Sequence, residues 1–259
     1  MLRPRIMPCL LLKDGSLVKT VKFNNPSYVG DPVNAIKIFN GKEVDELVLI
    51  DISKKEIPFD VIRKITRECF MPLCYGGSVR TIEDMRKLFQ LGIEKIIVNT
   101  LLFENPNIIK EAIKIFGSQS IVASVDVKKN FWGSNKIYRH FNKKTVNLSP
   151  INYIESLEKL GVGEILLYSV DKDGTWEGMD IKLIQEVCQR THLPIITCGG
   201  VGKLEDIQDS IVNGSSGVAL GSMCVYSKKN MGVLIKFPKQ LQNYQVFVIP
   251  GGFSFGDDT

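Results

Sequence analysis

Histidine is scarce in this 259-residue sequence, which contains only two, and none of its six cysteines is spaced as a CxxC pair. Zinc sites are usually built from cysteine and histidine clusters at short spacings, so no metal centre is expected. We predict neither a metal nor another cofactor. Cys9, Cys74 and Cys198 fall within predicted strands, where a free thiol behaves as a small buried apolar group in a reducing cytoplasm.

Long apolar runs and dense basic runs are also missing. No apolar stretch reaches the length of a transmembrane helix, and Lys13 and Asp14 interrupt the N-terminal apolar run too early for a signal peptide. The net charge is only +5, without a lysine and arginine cluster interleaved with aromatics, which argues against nucleic-acid binding. We therefore expect a cytoplasmic protein without membrane insertion. The charge suits a phosphorylated small-molecule substrate, although an ordinary solvated surface is the simpler source of most of it.

A repeated turn organises what is present. The segment Leu193–Gly202 is a short apolar run that ends in two glycines, and a helix pattern opens at Lys203. The segment Met71–Arg80 repeats this arrangement about half a chain length earlier, and its helix pattern opens at Thr81. Such strand–turn–helix units leave backbone N–H groups free to bind a phosphate, although for each turn alone a plain structural role is equally plausible.

The two halves match beyond this turn. Asp45–Asp51 parallels Gly163–Asp171, and Ile6–Leu12 parallels Ile121–Asp126, so each half carries four strands separated by helical patterns. Eight such units in a chain of this length predict a single (β/α)₈ barrel over residues 1–238 with a two-fold internal repeat, followed by an extension over 239–259. An open doubly wound sheet is the alternative, disfavoured because the repeat divides the chain so evenly.

Two insertions interrupt the repeat on the face where the strands end. Ser16–Pro32 is predicted as a long loop, a feature that is usually functional at this face of a barrel. Lys128–Val146 is polar and aromatic and is predicted as a β-hairpin over the site.

Polar and glycine positions at the strand ends form two candidate phosphate-binding groups, one in each half. Two such groups on one face favour a substrate with two anionic ends. The first anion cluster consists of Gly77, Ser78, Asn99 and Thr100, and the second anion cluster consists of Asp173, Gly174, Gly200, Gly221 and Ser222.

Asp126 ends the fifth predicted strand after a run of small and apolar residues. A carboxylate at the catalytic end of a buried strand is a candidate general acid or base, with loop capping as the alternative role. Asp51 and Asp171, at the ends of strands two and six, have weaker claims.

Four charged residues begin strands at the opposite end of the barrel, and they are called the floor ring below. Two positive and two negative charges would meet there, either as a simple salt-bridge ring or as a gate over a central passage. They are Arg5, Glu46, Lys95 and Glu164.

Together these residues resemble the cyclase subunit (HisF) family of imidazole glycerol phosphate synthase. The resemblance implies a glutaminase (HisH-like) partner at the barrel floor, ammonia passing through the floor ring, and a doubly phosphorylated ribulosyl substrate cleaved and cyclised above it. It also implies an aspartate acid and base on strands one and five. The motifs cover about residues 1–238; they are Arg5–Leu10 with Lys13–Gly15, Gly30–Val33, Asp45–Ile52, Lys95 with Asn99 and Thr100, Phe116–Gln119, Gly163–Leu167 and Asp171–Thr175.

The chain departs from the family pattern at three places. Asp126 matches the strand-five aspartate, but Leu11 occupies the strand-one position and cannot transfer a proton. Ser78 replaces the third glycine of the strand-three turn, and Phe131 with Trp132 is unusual in the strand-five insertion. An intact floor ring below incomplete cyclase chemistry resembles HisF-like paralogues of surface-polysaccharide clusters, which work with a HisH-like glutaminase and a separate sugar amidotransferase.

Two other functions stay open at this point. The first is the histidine-pathway cyclase itself, working with an altered acid, and the second is a non-catalytic activator of a glutaminase. The tail segment Val246–Asp257 resembles a short piece of class I glutaminases, yet the chain has no Gly-x-Cys-x-Gly nucleophile turn and so cannot be the glutaminase by itself.

Overall fold

The computed structural model describes residues 3–42, 44–53 and 55–238, so the tail segment lies outside the described residues. The strands are β1 (Arg5–Lys13), β2 (Ser16–Val21), β3 (Asn24–Gly30), β4 (Leu47–Asp51), β5 (Leu73–Gly76), β6 (Lys95–Val98), β7 (Ile121–Lys129), β8 (Asn135–Arg139), β9 (Lys144–Val146), β10 (Glu164–Ser169), β11 (Ile195–Cys198) and β12 (Gly217–Leu220). The α-helices are α1 (Pro32–Asn40), α2 (Phe59–Glu68), α3 (Ile82–Gln90), α4 (Thr100–Glu104), α5 (Pro106–Phe116), α6 (Pro150–Leu160), α7 (Ile181–Cys188), α8 (Leu204–Val212) and α9 (Ser222–Val225).

Eight parallel strands close into a barrel in the order β1, β4, β5, β6, β7, β10, β11 and β12. The closing contacts are the parallel pairs of β12 with β1 and of β7 with β10. The predicted (β/α)₈ barrel is therefore confirmed, and the open doubly wound sheet is wrong because no barrel strand is left at an edge.

Alternation along each strand divides the buried residues into two layers. Met7 and Cys9 on β1 face the barrel interior, whereas Ile6 and Leu10 pack outward under the helices. The three thiols predicted to be buried in strands are each 2 % exposed, and all belong to the interior layer. The interior layer comprises Met7, Cys9, Val48, Cys74, Ile97, Val122, Leu166, Tyr168, Ile196, Cys198 and Ala219.

The helices begin and end where capping residues dictate. The Thr81 side chain accepts a hydrogen bond from the backbone N–H of Asp84, and the Asp84 carboxylate accepts one from the backbone N–H of Thr81. This pair forms a capping box at the start of α3. Ser149 caps α6, and Gly161 ends that helix in the left-handed conformation. Among the described residues, no helix combines the length and apolarity needed to cross a bilayer.

The insertion after β1 differs from its prediction. The sequence predicts a loop over Ser16–Pro32, but β2 and β3 form an antiparallel hairpin that continues β1. The turn residues Lys22 and Phe23 both have positive φ, 51° and 60°, the arrangement of a type I′ turn. Neither residue is asparagine or glycine, so the usual signal for this turn is missing. The predicted hairpin after β7 is present as β8 and β9.

Candidate active site and floor of the barrel

A cavity of about 450 Å³ lies at the carboxyl ends of the barrel strands and is called the upper cavity below. This end of a (β/α)₈ barrel is where active sites are found. The upper cavity brings together Asp126, Leu11 and the whole first anion cluster. Its other lining residues include Thr20, Phe23, Asp51, Arg80, Glu104, Ser124, His140, Phe141 and Tyr168.

Asp126 is a buried carboxylate of this cavity, with 6 % of its surface exposed. Burial raises the pKa of Asp126 to about 7, and the hydrogen bond from the Ser124 hydroxyl, at 3.1 Å, acts in the opposite direction. A carboxyl group that titrates near neutrality can both give and take a proton, which suits general acid–base catalysis.

This burial predicts a pH dependence of stability. The native pKa of about 7 lies above the ordinary value of 3.8, so the native state binds the proton that the unfolded state releases. Between about pH 4 and 7 Asp126 should lower the free energy of unfolding by at most about 1.4 kcal/mol per pH unit as the pH rises. Replacing Asp126→Asn should remove this slope, measured as the difference between urea unfolding curves of the two proteins across that range. Parallel pH profiles would contradict the prediction.

Leu11 comes from β1 and is 6 % exposed in the wall of the same cavity. The position expected to hold the second acid or base therefore reaches the cavity but carries an aliphatic side chain. Phe23 also reaches the cavity, and its ring lies edge-on to Tyr168 at 4.8 Å and to His140 at 5.6 Å between centroids. Sequence reasoning missed Phe23 and His140 because the hairpin that delivers Phe23 carries no turn signal and His140 lies in a polar segment.

The first anion cluster is assembled as predicted in space, while its binding role stays a prediction. Gly77 has φ of +129°, and a Cβ atom there would lie 2.4 Å from the Asp51 carbonyl oxygen, so only glycine fits. The Asn99 amide donates to the Ser124 carbonyl at 3.0 Å. The buried Oδ1 atom of Asn99 accepts no hydrogen bond from the described residues; as an acceptor it suits a donor group and not a phosphate oxygen.

Ser78 adopts a left-handed backbone with φ of +56° in this turn. Because a non-glycine residue in this conformation is strained by roughly 1–2 kcal/mol, Ser78→Gly is expected to raise the free energy of unfolding by about 1 kcal/mol. The neighbouring variant Gly77→Ala should lower it, since its Cβ atom would collide with the Asp51 backbone. Urea denaturation of both variants measures the two changes in the free energy of unfolding. Changes of the same sign in both variants would contradict this account.

The second anion cluster lines a separate and much smaller pocket. Within it Asp173 is 1 % exposed and accepts from the Lys19 ammonium at 2.5 Å, the Thr20 hydroxyl at 2.8 Å and the Tyr168 hydroxyl at 3.1 Å. Because a carboxylate repels a phosphate, Asp173 does not fit a direct contact with the anion. Its hydrogen bonds instead hold the Lys19 ammonium in place. Lys19 lies against Gly221, with its Nζ atom 3.7 Å from where a Cβ atom would stand.

The four charges of the floor ring are joined by direct ion pairs in this structure. The Arg5 guanidinium donates to Glu46 at 2.5 Å and to Glu164 at 2.6 Å, and the Lys95 ammonium lies 3.0 Å from Glu46 and 3.2 Å from Glu164. Each cation therefore bridges both carboxylates across the barrel.

Mutual attraction keeps Arg5, Lys95 and Glu46 charged. Burial lowers the pKa of Lys95 and of Arg5, but attraction to Glu164 and Glu46 outweighs it, so both pKa values are raised. Burial acts to raise the pKa of Glu46. The charge of Lys95, the hydrogen bond from Cys74 and the charge of Arg5 together outweigh burial, so the pKa of Glu46 is lowered.

Of the remaining candidates, only Asp51 lines the upper cavity. Asp171 accepts from the Lys129 backbone N–H at 2.7 Å, which is a loop-capping contact. Asp51 lines the upper cavity and also accepts from the Ser53 backbone N–H at 2.8 Å. Phe131 and Trp132 are 94 % and 84 % exposed in the turn between β7 and β8, outside the cavity lining. Across the described part of the chain, no group of three or more potential ligand side chains could hold a metal ion.

Comparison with known proteins decides the family. Residues 5–230 match the model of a family described as "Histidine biosynthesis protein". The chain is also 38% identical over 243 residues to "Imidazole glycerol phosphate synthase subunit HisF" of Methanocaldococcus jannaschii, covering 85% of this chain and 89% of that protein. The chain belongs to the HisF family.

Other HisF-family relatives are more similar. A "Putative imidazole glycerol phosphate synthase subunit hisF2" of Pseudomonas aeruginosa is 45% identical over 243 residues, covering 92% of this chain and 97% of that protein. A "Putative imidazole glycerol phosphate synthase subunit HisF" of Leptospira interrogans is 39% identical over 253 residues, covering 95% of this chain and 100% of that protein.

Proposed function

We propose that this HisF-family chain is the ammonia-receiving subunit of a two-component glutamine amidotransferase. A HisH-like glutaminase would bind below the floor ring, and ammonia would pass between Arg5, Glu46, Lys95 and Glu164 into the barrel. The interior layer above the ring is mostly apolar and made of small to medium side chains, a surrounding that favours neutral ammonia over ammonium. The upper cavity would then hold an anionic substrate on the first anion cluster. The protein would act in the cytoplasm.

The combination of a complete floor ring with an incomplete upper cavity carries the proposal. The floor ring has all four charges in mutual contact, whereas Leu11 lies where the cyclase reaction needs an acid or base. We therefore propose that the ammonia serves the amidation or amidination of a surface-polysaccharide sugar, with a separate sugar amidotransferase as the third component.

The imidazole glycerol phosphate synthase cyclase reaction is the second candidate. Asp126 supports it, because this buried carboxyl group has a pKa of about 7 and lines one cavity with the first anion cluster. In that function the phosphoribulosyl aminoimidazole carboxamide substrate would be cleaved and cyclised with Asp126 as the remaining proton-transfer group.

Cyclase turnover separates these two functions. The purified chain is assayed with that substrate and excess ammonium salt, which replaces the glutaminase, beside the HisF subunit of Methanocaldococcus jannaschii as reference. Because a missing acid or base typically costs about 10²–10⁴ in rate, we expect turnover at least about 10²-fold below the reference. Turnover close to the reference would overturn the sugar-amidation proposal and establish the cyclase.

Deletion of the gene provides the matching test in cells. We expect the deleted strain to grow without added histidine and to lose an amide or amidine from a surface sugar, read by mass spectrometry of the isolated polysaccharide. A histidine requirement with an unchanged polysaccharide would instead support the cyclase.

A further inference from the structure

One interior thiol touches the floor ring. Cys74 on β5 is 2 % exposed, and its Sγ atom donates a hydrogen bond to Oε1 of Glu46. Burial, followed by the Glu46 charge, raises the pKa of Cys74, so the group stays a neutral S–H donor. The contact is therefore a thiol bound to a carboxylate, and hydrogen bonds to charged acceptors are the stronger kind.

This contact makes the two carboxylates of the floor ring unequal. Glu46 is held through both oxygens, since Oε2 accepts from Arg5 at 2.5 Å while Oε1 contacts Lys95 at 3.0 Å and also accepts from Cys74. On Glu164 the contacts from Arg5, at 2.6 Å, and from Lys95, at 3.2 Å, converge on the single oxygen Oε2. The Glu164 side chain is also more exposed, 10 % against 4 % for Glu46.

We propose that Cys74 is a positioning residue that fixes Glu46, so that the floor ring opens on its Glu164 side. Releasing Glu46 breaks contacts with two cations and the thiol, whereas releasing Glu164 breaks contacts with the two cations alone. Arg5 is the more exposed of the two cations, 28 % against 19 % for Lys95, which places the moving edge of the ring at Arg5 and Glu164. The role of the opening in ammonia passage rests on the proposed function, whereas the fixing of Glu46 by Cys74 does not.

Two substitutions distinguish the hydrogen bond of the Cys74 thiol from the packing of its side chain. Cys74→Ser keeps a small donor at the position, while Cys74→Val keeps apolar volume and removes the donor. The thiol of Cys224 on α9 is fully buried outside the interior layer and is not a partner of the floor ring or of Cys9, so Cys224→Val is the matched control.

The test follows thiol exchange in the chain alone by infrared spectroscopy of the S–H stretch. After transfer to deuterated water, the S–H groups of the interior exchange only as fast as water reaches them, and water is close to ammonia in size. Loss of a charge-assisted hydrogen bond predicts about tenfold faster exchange of the Cys9 thiol in Cys74→Val, with rates near the unsubstituted protein in Cys74→Ser and Cys224→Val. Equal exchange in Cys74→Val and Cys74→Ser would overturn the positioning role.

A spectroscopic signature checks the contact itself. The S–H band lost in Cys74→Ser should move to higher frequency in Glu46→Gln, because the charged acceptor is then replaced by a neutral one. An unmoved band would overturn the inference. Neither measurement needs a glutaminase or an acceptor reaction, so their failure is distinct from failure of the cyclase and deletion tests of the proposed function.

Discussion

Replacing Leu11→Asp is expected to raise ammonium-driven cyclase turnover by about 10²–10⁴, the range that a positioned acid or base usually contributes. Leu11 already reaches the upper cavity from β1, and Asp126 enters the same cavity from β7. An aspartate at this position would therefore restore a pair of proton-transfer groups without moving the backbone. Steady-state assays with the phosphoribulosyl substrate and saturating ammonium salt measure the gain.

Leu11→Asn is the matched control for this gain. Asparagine is close to aspartate in shape and polarity but cannot exchange a proton, so its turnover should stay near that of the unsubstituted protein. The double variant Leu11→Asp with Asp126→Asn should lose the gain again, since both groups are needed. Equal turnover in the aspartate and asparagine variants would show that proton transfer at position 11 does not limit the reaction.

The floor ring is expected to contribute strongly to stability. Glu46→Ala should lower the free energy of unfolding by about 3–5 kcal/mol, because removing one partner of a buried ion pair leaves uncompensated charge. Arg5 and Lys95 would then share Glu164 alone. Equilibrium unfolding in urea measures the change.

Asp60→Ala provides the matched control, because Asp60 pairs with Arg63 on the surface of α2 with 89 % of its side chain exposed. Exposed pairs contribute about 0–1 kcal/mol, so this variant should unfold almost like the unsubstituted protein. If Glu46→Ala lost no more stability than Asp60→Ala, the floor ring would be a solvated charge cluster.

Sequence periodicity predicted the barrel well because the half-chain repeat and the strand–turn–helix order recur at matched positions. The predicted helix Pro150–Leu160 coincides with α6, and the predicted pairing of charges at the barrel floor is present as direct contacts. In a parallel barrel all strands start at one end, so residues that begin strands meet there whatever their separation in sequence.

The hairpin after β1 could not be predicted in the same way. Its turn uses Lys22 and Phe23 at positive φ, a conformation that tertiary contacts impose on residues with no preference for it. The bonds from Lys19 and Thr20 to Asp173 cross more than 150 positions of sequence and hold this hairpin against the barrel. Phe23 lies in the turn of this hairpin, so the contacts that hold the hairpin against the barrel also bring Phe23 into the upper cavity.

The sequence by itself therefore determined the fold, the family, the strand that carries Asp126 and the aliphatic side chain at position 11, since each depends on strand order and residue type. Only the tertiary structure decided the pairings that strand order does not imply. In the folded chain Cys74 bonds to Glu46 and Lys19 bonds to Asp173. Burial of Asp126 raises its pKa to about 7. Such pairings depend on side-chain direction and burial across neighbouring strands, and these are set by barrel closure.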